Sequence, residues 1–178
     1  MSVYRTFLFA PGNHARRVEK ALSLDADAVI LDLEDAVAIA EKPAARSKVV
    51  EALQRPRTGL GYTRVNAIST EFCHGDLQAV VAKGVDGIIL PKVEAAHELK
   101  AIDWLIGELE RDRGLLKGGI DLIPIVETAK GMQAAFEIAA AGTRVRRMAF
   151  GAGDFTLDMN IEWSRDELEL LPYRSAVV

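Results

Sequence analysis

Two carboxylates lie where the sequence passes from an apolar run into a polar loop. Glu127 directly follows the apolar run 122–126, and Asp154 follows the run 148–150 across a Gly-Ala-Gly turn. In α/β folds this end of the strand is where active sites are built, because the strands are rigid and the following loops are free to vary. Two acids on neighbouring strands offer hard oxygen ligands, which suit Mg²⁺. The sequence therefore predicts a magnesium site at Glu127 and Asp154.

Each of these acids also has a purely structural interpretation. An acid just after a strand is often the N-cap of the next helix. For Glu127 this interpretation is the weaker one, because Thr128 is the better cap. For Asp154 the glycines at 151 and 153 favour a binding role, since they let the backbone approach a ligand whose carboxylate or phosphate the N–H groups can hold.

Three further acids and an arginine come earlier in the chain. By strand alternation Asp32 and Glu34 share one face of a strand, and Asp35 lies in the loop after it. Asp32 interrupts an apolar run and needs a partner if it is buried. Arg64, within the next strand, could form an internal ion pair or hold the carboxylate of a 2-oxo acid bidentately. For the acids, an internal salt bridge and a role around the metal both stay open.

Other reactive side chains give weaker signals. Lys92 follows the apolar run 87–90 and could form a Schiff base. However, Pro91 predicts an outward side chain, and the metal-binding acids make a Schiff base unnecessary. The single cysteine, Cys73, excludes an intrachain disulfide and a cysteine-based zinc site. The three histidines have no metal-ligand spacing.

Strands and helices alternate along the whole chain. Apolar runs predict strands at 6–10, 28–33, 61–66, 87–90, 122–126 and 147–150, and amphipathic segments predict helices at 14–24, 42–54, 75–83, 95–113, 129–141 and 165–178. The strand runs are continuous rather than alternating, which indicates a parallel sheet buried on both faces. An open doubly wound sheet and part of a (β/α)8 barrel both fit. In a barrel, the polar groups after the strands, including Asn13, Asn66 and Lys92, would converge on one mouth.

The size of the chain favours an incomplete barrel. Six βα units are roughly three-quarters of a barrel, whose usual size is about 250 residues. The predicted last helix also stops without a capping glycine. We therefore expect one partial barrel domain over residues 1–178, truncated after about six units.

Composition excludes several classes of protein. The chain is 49% hydrophobic and 27% charged, which is typical of a globular protein. The formal net charge of −4 gives no sign of binding to nucleic acid through phosphate neutralisation. No run of 18 apolar residues predicts a membrane span. No signal peptide is visible, so we expect the protein in the cytoplasm.

Six short segments carry a resemblance to a known family, and they are residues 7–13, 29–37, 64–66, 90–94, 125–128 and 150–154. In this order and spacing they resemble the citrate lyase beta subunit-like branch, which includes malyl-CoA lyases, of the HpcH/HpaI aldolase family. The resemblance extends from about Arg5 to the last residue. It implies a TIM barrel of the phosphoenolpyruvate/pyruvate type and a Mg²⁺-dependent carbon–carbon lyase. Such an enzyme cleaves or forms a citryl-, malyl- or related 3-hydroxyacyl thioester.

The resemblance also implies roles for individual residues. The metal ligands would be Glu127 and Asp154, and Arg64 would contact the 2-oxo acid. The acids at Glu34 and Asp35 would hold metal-bound water or the arginine. We further expect the backbone N–H groups of Gly151, Ala152 and Gly153 to hold the substrate carboxylate.

The thioester would be linked to coenzyme A or to an acyl carrier. The resemblance places the loop from Asn13 to Arg17, and thus Arg16, near the coenzyme A portion. Relatives often carry arginine at the position of His14 and glutamate at that of Gly153. They form trimers or hexamers, so a homo-oligomer is expected, and in several of them a C-terminal segment brings a catalytic acid to a neighbouring subunit.

Two other functions stay open. A thioesterase could hydrolyse malyl-type thioesters with the same metal site. A truncated barrel could instead bind metal, or serve in a complex, without catalysis.

Overall fold

Six parallel strands form the sheet of the computed structural model, which describes residues 4–178. The strands are β1 (Phe7–Pro11), β2 (Ala28–Asp32), β3 (Leu60–Arg64), β4 (Gly87–Leu90), β5 (Asp121–Val126) and β6 (Ala149–Phe150). All six predicted strands are present, and their ends differ from the prediction by at most two residues. The strand prediction is therefore confirmed.

Each strand pairs with the strand that follows it in the chain, in the order β1-β2-β3-β4-β5-β6. In a doubly wound sheet the spatial order of the strands would reverse at a switch point. Residues from all six strands also line one cavity of about 500 Å³, so the sheet curls around a concave face. The arrangement is that of a β/α barrel, which decides between the two predicted architectures.

The helices are α1 (Ala15–Leu22), α2 (Lys42–Leu53), α3 (Cys73–Val80), α4 (Ala96–Asp112), α5 (Ala129–Gln133), α6 (Ala135–Ala139), α7 (Ala152–Asp158) and α8 (Leu171–Ala176). Short 3₁₀ turns lie at Ile39–Glu41 and Leu168–Leu170. The predicted helix 129–141 is in fact two short helices that meet at Ala134.

The predicted helix 165–178 is wrong over its first half. Regular α-helix begins only at Leu171, after the 3₁₀ turn. Pro172 lies in its first turn, where a missing N–H costs nothing, and proline is unfavourable deeper inside a helix. The late start of this helix is therefore a local effect of proline, which the apolar periodicity does not predict.

Strand alternation divides the apolar side chains between two layers. The larger core lies between the sheet and the helices and includes Leu31, Ile88 and Leu122. A smaller cluster on the concave face contains Ala28, Ile30, Tyr62, Ile89, Ile123 and Ile125. Fully burying a large apolar side chain contributes roughly 1.5–3 kcal/mol. The two layers hold the strands rigidly, so the residues after each strand keep fixed relative positions.

Within residues 4–178, none of the helices is both long and apolar enough to cross a membrane.

Candidate active site

The parallel sheet brings the residues after its strands to one edge. Arg64 and Asp32 end their strands, and Glu127 directly follows β5. Glu34, Lys92 and Asp154 come two to four residues after β2, β4 and β6. Contacts among these side chains define a single cluster, which we call the acid cluster: Asp32, Glu34, Asp35, Arg64, Lys92, Glu127 and Asp154.

Arg64 is the cation at the centre of the cluster. Its Nε and Nη2 donate to the two carboxylate oxygens of Asp32 at 2.7 and 2.6 Å, a bidentate pair. Its Nη1 lies 3.0 Å from Oε2 of Glu34. Asp32 and Arg64 are register partners on β2 and β3, which sets this geometry. The internal ion pair left open by the sequence is therefore present. A guanidinium has more N–H groups than these contacts use, so Arg64 retains donors for a ligand.

The charge of Arg64 also controls the protonation of Asp32. Burial alone would raise the pKa of Asp32, which is 2% exposed. The hydrogen bonds and the charge of Arg64, with backbone N–H groups of Glu34 and Ala36, outweigh burial and lower this pKa. Asp32 is therefore ionised, and it keeps Arg64 in place.

The predicted outward direction of the Lys92 side chain is wrong. Its Nζ lies 2.5 Å from Oε1 of Glu34, 2.9 Å from Oδ2 of Asp154 and 3.7 Å from Oδ1 of Asp35. Lys92 has a φ of 52°, a left-handed conformation that non-glycine residues seldom adopt. Its backbone N–H donates to Oε1 of Glu127 at 2.9 Å. This hydrogen bond accompanies the turn that points the ammonium into the mouth, where the acids attract it.

The surroundings of Lys92 disfavour a Schiff base. Burial alone would lower its pKa, but the close carboxylates of Glu34 and Asp154 outweigh burial and raise it. Schiff-base formation needs an unprotonated amine. Lys92 is an ammonium and acts here through its charge.

Glu127 is buried, with 4% of its surface exposed. The structure confirms Thr128 as the cap of α5, because its Oγ1 accepts the N–H of Gly131 at 3.0 Å. Glu127 is thus free of that capping role. Gly151 lies against its carboxylate, and a Cβ at position 151 would overlap Oε2 of Glu127. A glycine here allows β6 to approach the acid closely.

Burial raises the pKa of Glu127 to about 7. The backbone N–H of Lys92 acts in the opposite direction, and the charges of Asp154 and Glu34 raise the pKa further. A buried acid with a perturbed pKa in a cleft is typical of a functional site.

Asp154 lies in the first turn of α7, not in the predicted loop. The glycine-rich segment has low helix propensity. Packing overrides this propensity, because Phe155 is fully buried and its ring lies 5.2 Å from Phe150 and 4.5 Å from Tyr173. About a third of the Asp154 side chain is exposed, and its Oδ2 is buried. Within the described residues this oxygen has no hydrogen-bond partner and contacts Lys92 by charge.

The helix changes which backbone groups can hold a ligand. The N–H of Gly151 is already used, because it donates to the carbonyl of Val126 at 3.0 Å. The prediction that it binds the substrate carboxylate is therefore corrected. The first N–H groups of a helix have no partner within the helix. Those of Ala152 and Gly153 are in this position, so the predicted role stays with these two residues.

The donor set of the cluster fits Mg²⁺. Among residues 4–178, no group of three or more histidine, cysteine, aspartate or glutamate side chains is arranged to hold a metal. Mg²⁺ does not require such a group, since one or two carboxylates commonly bind it together with water and substrate oxygens. Glu127 and Asp154 supply two carboxylates at adjacent strand ends, and within the described residues Oδ2 of Asp154 accepts no hydrogen bond, although the Lys92 ammonium lies 2.9 Å from it.

Two predicted binding residues lie apart from the acid cluster. Asn13 donates from Nδ2 to Oε2 of Glu41 at 2.6 Å. Arg16 is exposed on α1 and lines a separate groove of about 620 Å³ beside β1, together with His14 and Arg17. Arg16 thus lies on a second surface and Asn13 is bonded to Glu41, and a binding role for either residue stays a prediction.

Asn66 does not face the mouth as predicted. It is 2% exposed and lies behind the sheet, where its backbone and side-chain N–H groups donate to Oδ2 of Asp76. Its Oδ1 accepts from Lys42, whose Nζ also donates to the carbonyls of Leu33 and Glu34. Sequence reasoning missed Lys42, since a lysine at a helix start is usually solvated. Here it fixes the backbone that carries Glu34.

The raised pKa of Glu127 predicts a pH dependence of stability. The unfolded chain releases this proton near pH 4.5 and the folded chain near pH 7. The contribution to the free energy of unfolding is thus fully present below about 4.5 and lost as the pH rises through about 7. In metal-free protein, chemical denaturation should show a steeper loss of stability across this window for the wild type than for Glu127→Gln. Parallel curves for the two proteins would contradict the raised pKa.

Comparison with known proteins gives a consistent result. The sequence model of the HpcH/HpaI aldolase/citrate lyase family matches residues 5–178. The citrate lyase subunit beta of Leuconostoc mesenteroides subsp. cremoris is 39% identical over 176 residues, covering 98% of this chain and 58% of its own length. The L-malyl-CoA/beta-methylmalyl-CoA lyase of Rhodobacter capsulatus is 37% identical over 162 residues, covering 88% of this chain and 51% of its own length.

The solved structures agree with the fold. The citrate lyase beta subunit of M. tuberculosis, complexed with oxaloacetate and magnesium, matches with a TM-score of 0.74 and 32% identity. The match covers 96% of this chain and 70% of that one. The chain therefore spans little more than half the length of the two lyases above and about two-thirds of this structure. On these matches, and on a sheet and acid cluster of the same kind as the resemblance implied, the chain belongs to the HpcH/HpaI aldolase/citrate lyase family.

Proposed function

We propose that this chain provides the metal and oxo-acid site of a Mg²⁺-dependent carbon–carbon lyase. One observation carries the proposal: Glu127 and Asp154 come together at adjacent strand ends, within the charge network of Arg64. The family membership and the relatives named as citrate lyase and malyl-CoA lyase support the reaction class. The magnesium and oxaloacetate in the M. tuberculosis structure support the choice of metal and ligand.

In this proposal Glu127 and Asp154 hold the metal. Bound Mg²⁺ supplies Lewis acidity, which lowers the pKa of a substrate hydroxyl and favours the oxo group formed from it. Arg64 lines the cavity on the concave face, and its remaining N–H groups would bind the carboxylate of the substrate. The N–H groups of Ala152 and Gly153 contribute further donors at the start of α7.

The relatives named as citrate lyase and malyl-CoA lyase support the choice of substrate class. The site would take a 3-hydroxyacyl thioester of citryl, malyl or related type, carried by coenzyme A or an acyl carrier. Cleavage breaks the bond between the hydroxyl-bearing carbon and the carbon next to the thioester carbonyl. The hydroxyl releases its proton and becomes the oxo group of a 2-oxo acid. The bonding electrons stay with the thioester as an enolate, which takes up one proton, so the reaction neither gains nor loses protons. Arg64 balances the charge of the substrate carboxylate and the negative charge on the substrate oxygen as its proton leaves.

We propose that Asp32 and Glu34 hold the cations of the cluster in place before the substrate binds. Asp32 fixes the plane of the guanidinium, and Glu34 lies between Arg64 and Lys92, at 3.0 and 2.5 Å. Preorganised donors of this kind cost no rearrangement when charge develops. Asp35 is over half exposed and lies 3.7 Å from each of the two cations, which leaves it accessible to metal-bound water.

The test combines binding and product analysis. Calorimetry of the purified chain with Mg²⁺ and oxaloacetate, pyruvate or glyoxylate should show metal-dependent binding of one oxo acid. The hydroxyacyl-CoA that corresponds to the bound oxo acid should then be cleaved, so that malyl-CoA, for example, gives glyoxylate and acetyl-CoA. Release of malate and free coenzyme A would replace the lyase by a thioesterase. Oxo-acid binding without any product would indicate a non-catalytic barrel, and no binding by folded protein would overturn the proposal.

A further inference from the structure

Lys92 is joined to both acids of the proposed metal site. Its backbone N–H donates to Oε1 of Glu127 at 2.9 Å, and its ammonium lies 2.9 Å from Oδ2 of Asp154. The same ammonium lies 2.5 Å from Oε1 of Glu34. Its position against a carboxylate oxygen of a proposed metal ligand means that a cation of the chain already occupies part of that site.

The charge balance of the cluster depends on this lysine. The acids facing the mouth are Asp32, Glu34, Asp35, Glu127 and Asp154, and the cations facing them are Arg64 and Lys92. Arg64 is engaged by Asp32 and Glu34. Lys92 is therefore the cation that neutralises Asp154 within the described structure. Without it the acids near Asp154 would repel one another in a partly buried setting.

The ammonium of Lys92 also has carboxylate partners other than Asp154. Glu34 already accepts from its ammonium, and Asp35 lies 3.7 Å away. A lysine has a flexible four-carbon stem and donors that rotate freely. The ammonium can thus give up Asp154 and remain paired with Glu34 and Asp35. Its backbone is held in the left-handed conformation and bonded to Glu127, so this movement is confined to the side chain.

We propose that Lys92 is a built-in counter-cation, which neutralises Asp154 in the metal-free protein and yields Oδ2 of Asp154 to a divalent cation. The inference rests on the proposed metal site. Because an ammonium and a divalent cation repel each other and compete for one oxygen, Lys92 weakens metal binding. It thereby sets the metal affinity of the site.

The test is the affinity for Mn²⁺ or Mg²⁺, measured by calorimetry without oxo acid. Lys92→Met removes the competitor and leaves the acids in excess, so the affinity should rise at least about tenfold. Lys92→Arg retains the charge and should stay close to the wild type. As a matched control, Lys130→Met removes an exposed lysine paired with Glu94 at 2.9 Å, and the affinity should not change.

The opposite result has a clear meaning. If Lys92 instead braces the ligands, its removal would weaken metal binding, and an equal or lower affinity in Lys92→Met would overturn the proposal. Lys92→Gln, which keeps a polar head, gives the same comparison if the methionine variant does not fold. Loss of metal binding in Glu127→Gln confirms the site independently. Metal binding that survives the Glu127→Gln substitution would overturn the proposed function itself.

Discussion

Asp154→Asn and Glu127→Gln are each expected to abolish Mg²⁺-dependent binding of 2-oxo acids and to reduce turnover on the order of 10³-fold or more. Each change leaves a neutral amide in a ligand pair that has no third carboxylate in the proposed site. In the proposed reaction the metal would contribute several kcal/mol of transition-state stabilisation, and each 1.4 kcal/mol lost is about tenfold in rate. Calorimetry with Mg²⁺ and the oxo acid, together with product analysis, measures both effects.

Asp158→Asn is the matched control for this prediction. Asp158 ends the same helix as Asp154, and its Oδ2 accepts the N–H of Ala129 at 2.8 Å. Asparagine retains an oxygen that accepts this hydrogen bond, so metal and oxo-acid binding should be unchanged. Full metal-dependent binding in either ligand variant would refute the assignment of Glu127 and Asp154.

Arg64→Ala is expected to lower the free energy of unfolding by about 3–5 kcal/mol, the usual cost of removing one partner of a buried ion pair. Asp32 and Glu34 are only 2% and 6% exposed in the structure, and the change removes the bidentate partner of Asp32. The remaining neighbour, Lys92, contacts Glu34 but is not bonded to Asp32. Urea denaturation at neutral pH measures the change.

An exposed arginine provides the comparison. Arg55 pairs with Glu51 at 3.0 Å on the surface of α2, and over half of each side chain is exposed. Arg55→Ala should change the stability little, because exposed ion pairs contribute little. The double change of Asp32 and Arg64 should lower the free energy of unfolding by less than the sum of the two single changes. In the double variant neither member of the pair remains buried without the other. Equal effects of Arg64→Ala and Arg55→Ala would show that burial does not control this pair.

The sequence predicts best those features that depend on local residue type. Continuous apolar runs such as 122–126 locate the strands, and a parallel sheet then places the residues after each strand at one edge. The position of Glu127 at this edge could therefore be predicted, and so could the role of Thr128 as the helix cap beside it. The pairing of Arg64 with Asp32 was one of two alternatives, and only the register of β2 and β3 decides between them.

The missed features depend on contacts between distant residues. Lys92 turns inward through a positive φ, and no property of lysine or of Pro91 predicts that conformation. Its hydrogen bond to Glu127 spans 35 positions of the chain. The glycine-rich segment before Asp154 is typical of a turn, and the burial of Phe155 makes it a helix. Local sequence carries neither of these contacts, so neither prediction could succeed.

The two-residue length of β6 has a consequence for the dynamics of the site. β6 pairs with β5 through Ala149 and Phe150, and the N–H of Gly151 adds one hydrogen bond to the carbonyl of Val126. Asp154 depends on this short strand and on α7. Glu127 follows the six-residue strand β5. Elements with few ladder hydrogen bonds open at low free-energy cost, so amide hydrogens of β6 and α7 should exchange with solvent faster than those of β5. A metal bound by both Glu127 and Asp154 would link β6 and α7 to the more stable β5. Amide exchange in residues 149–158 should therefore be slower with the metal than without it.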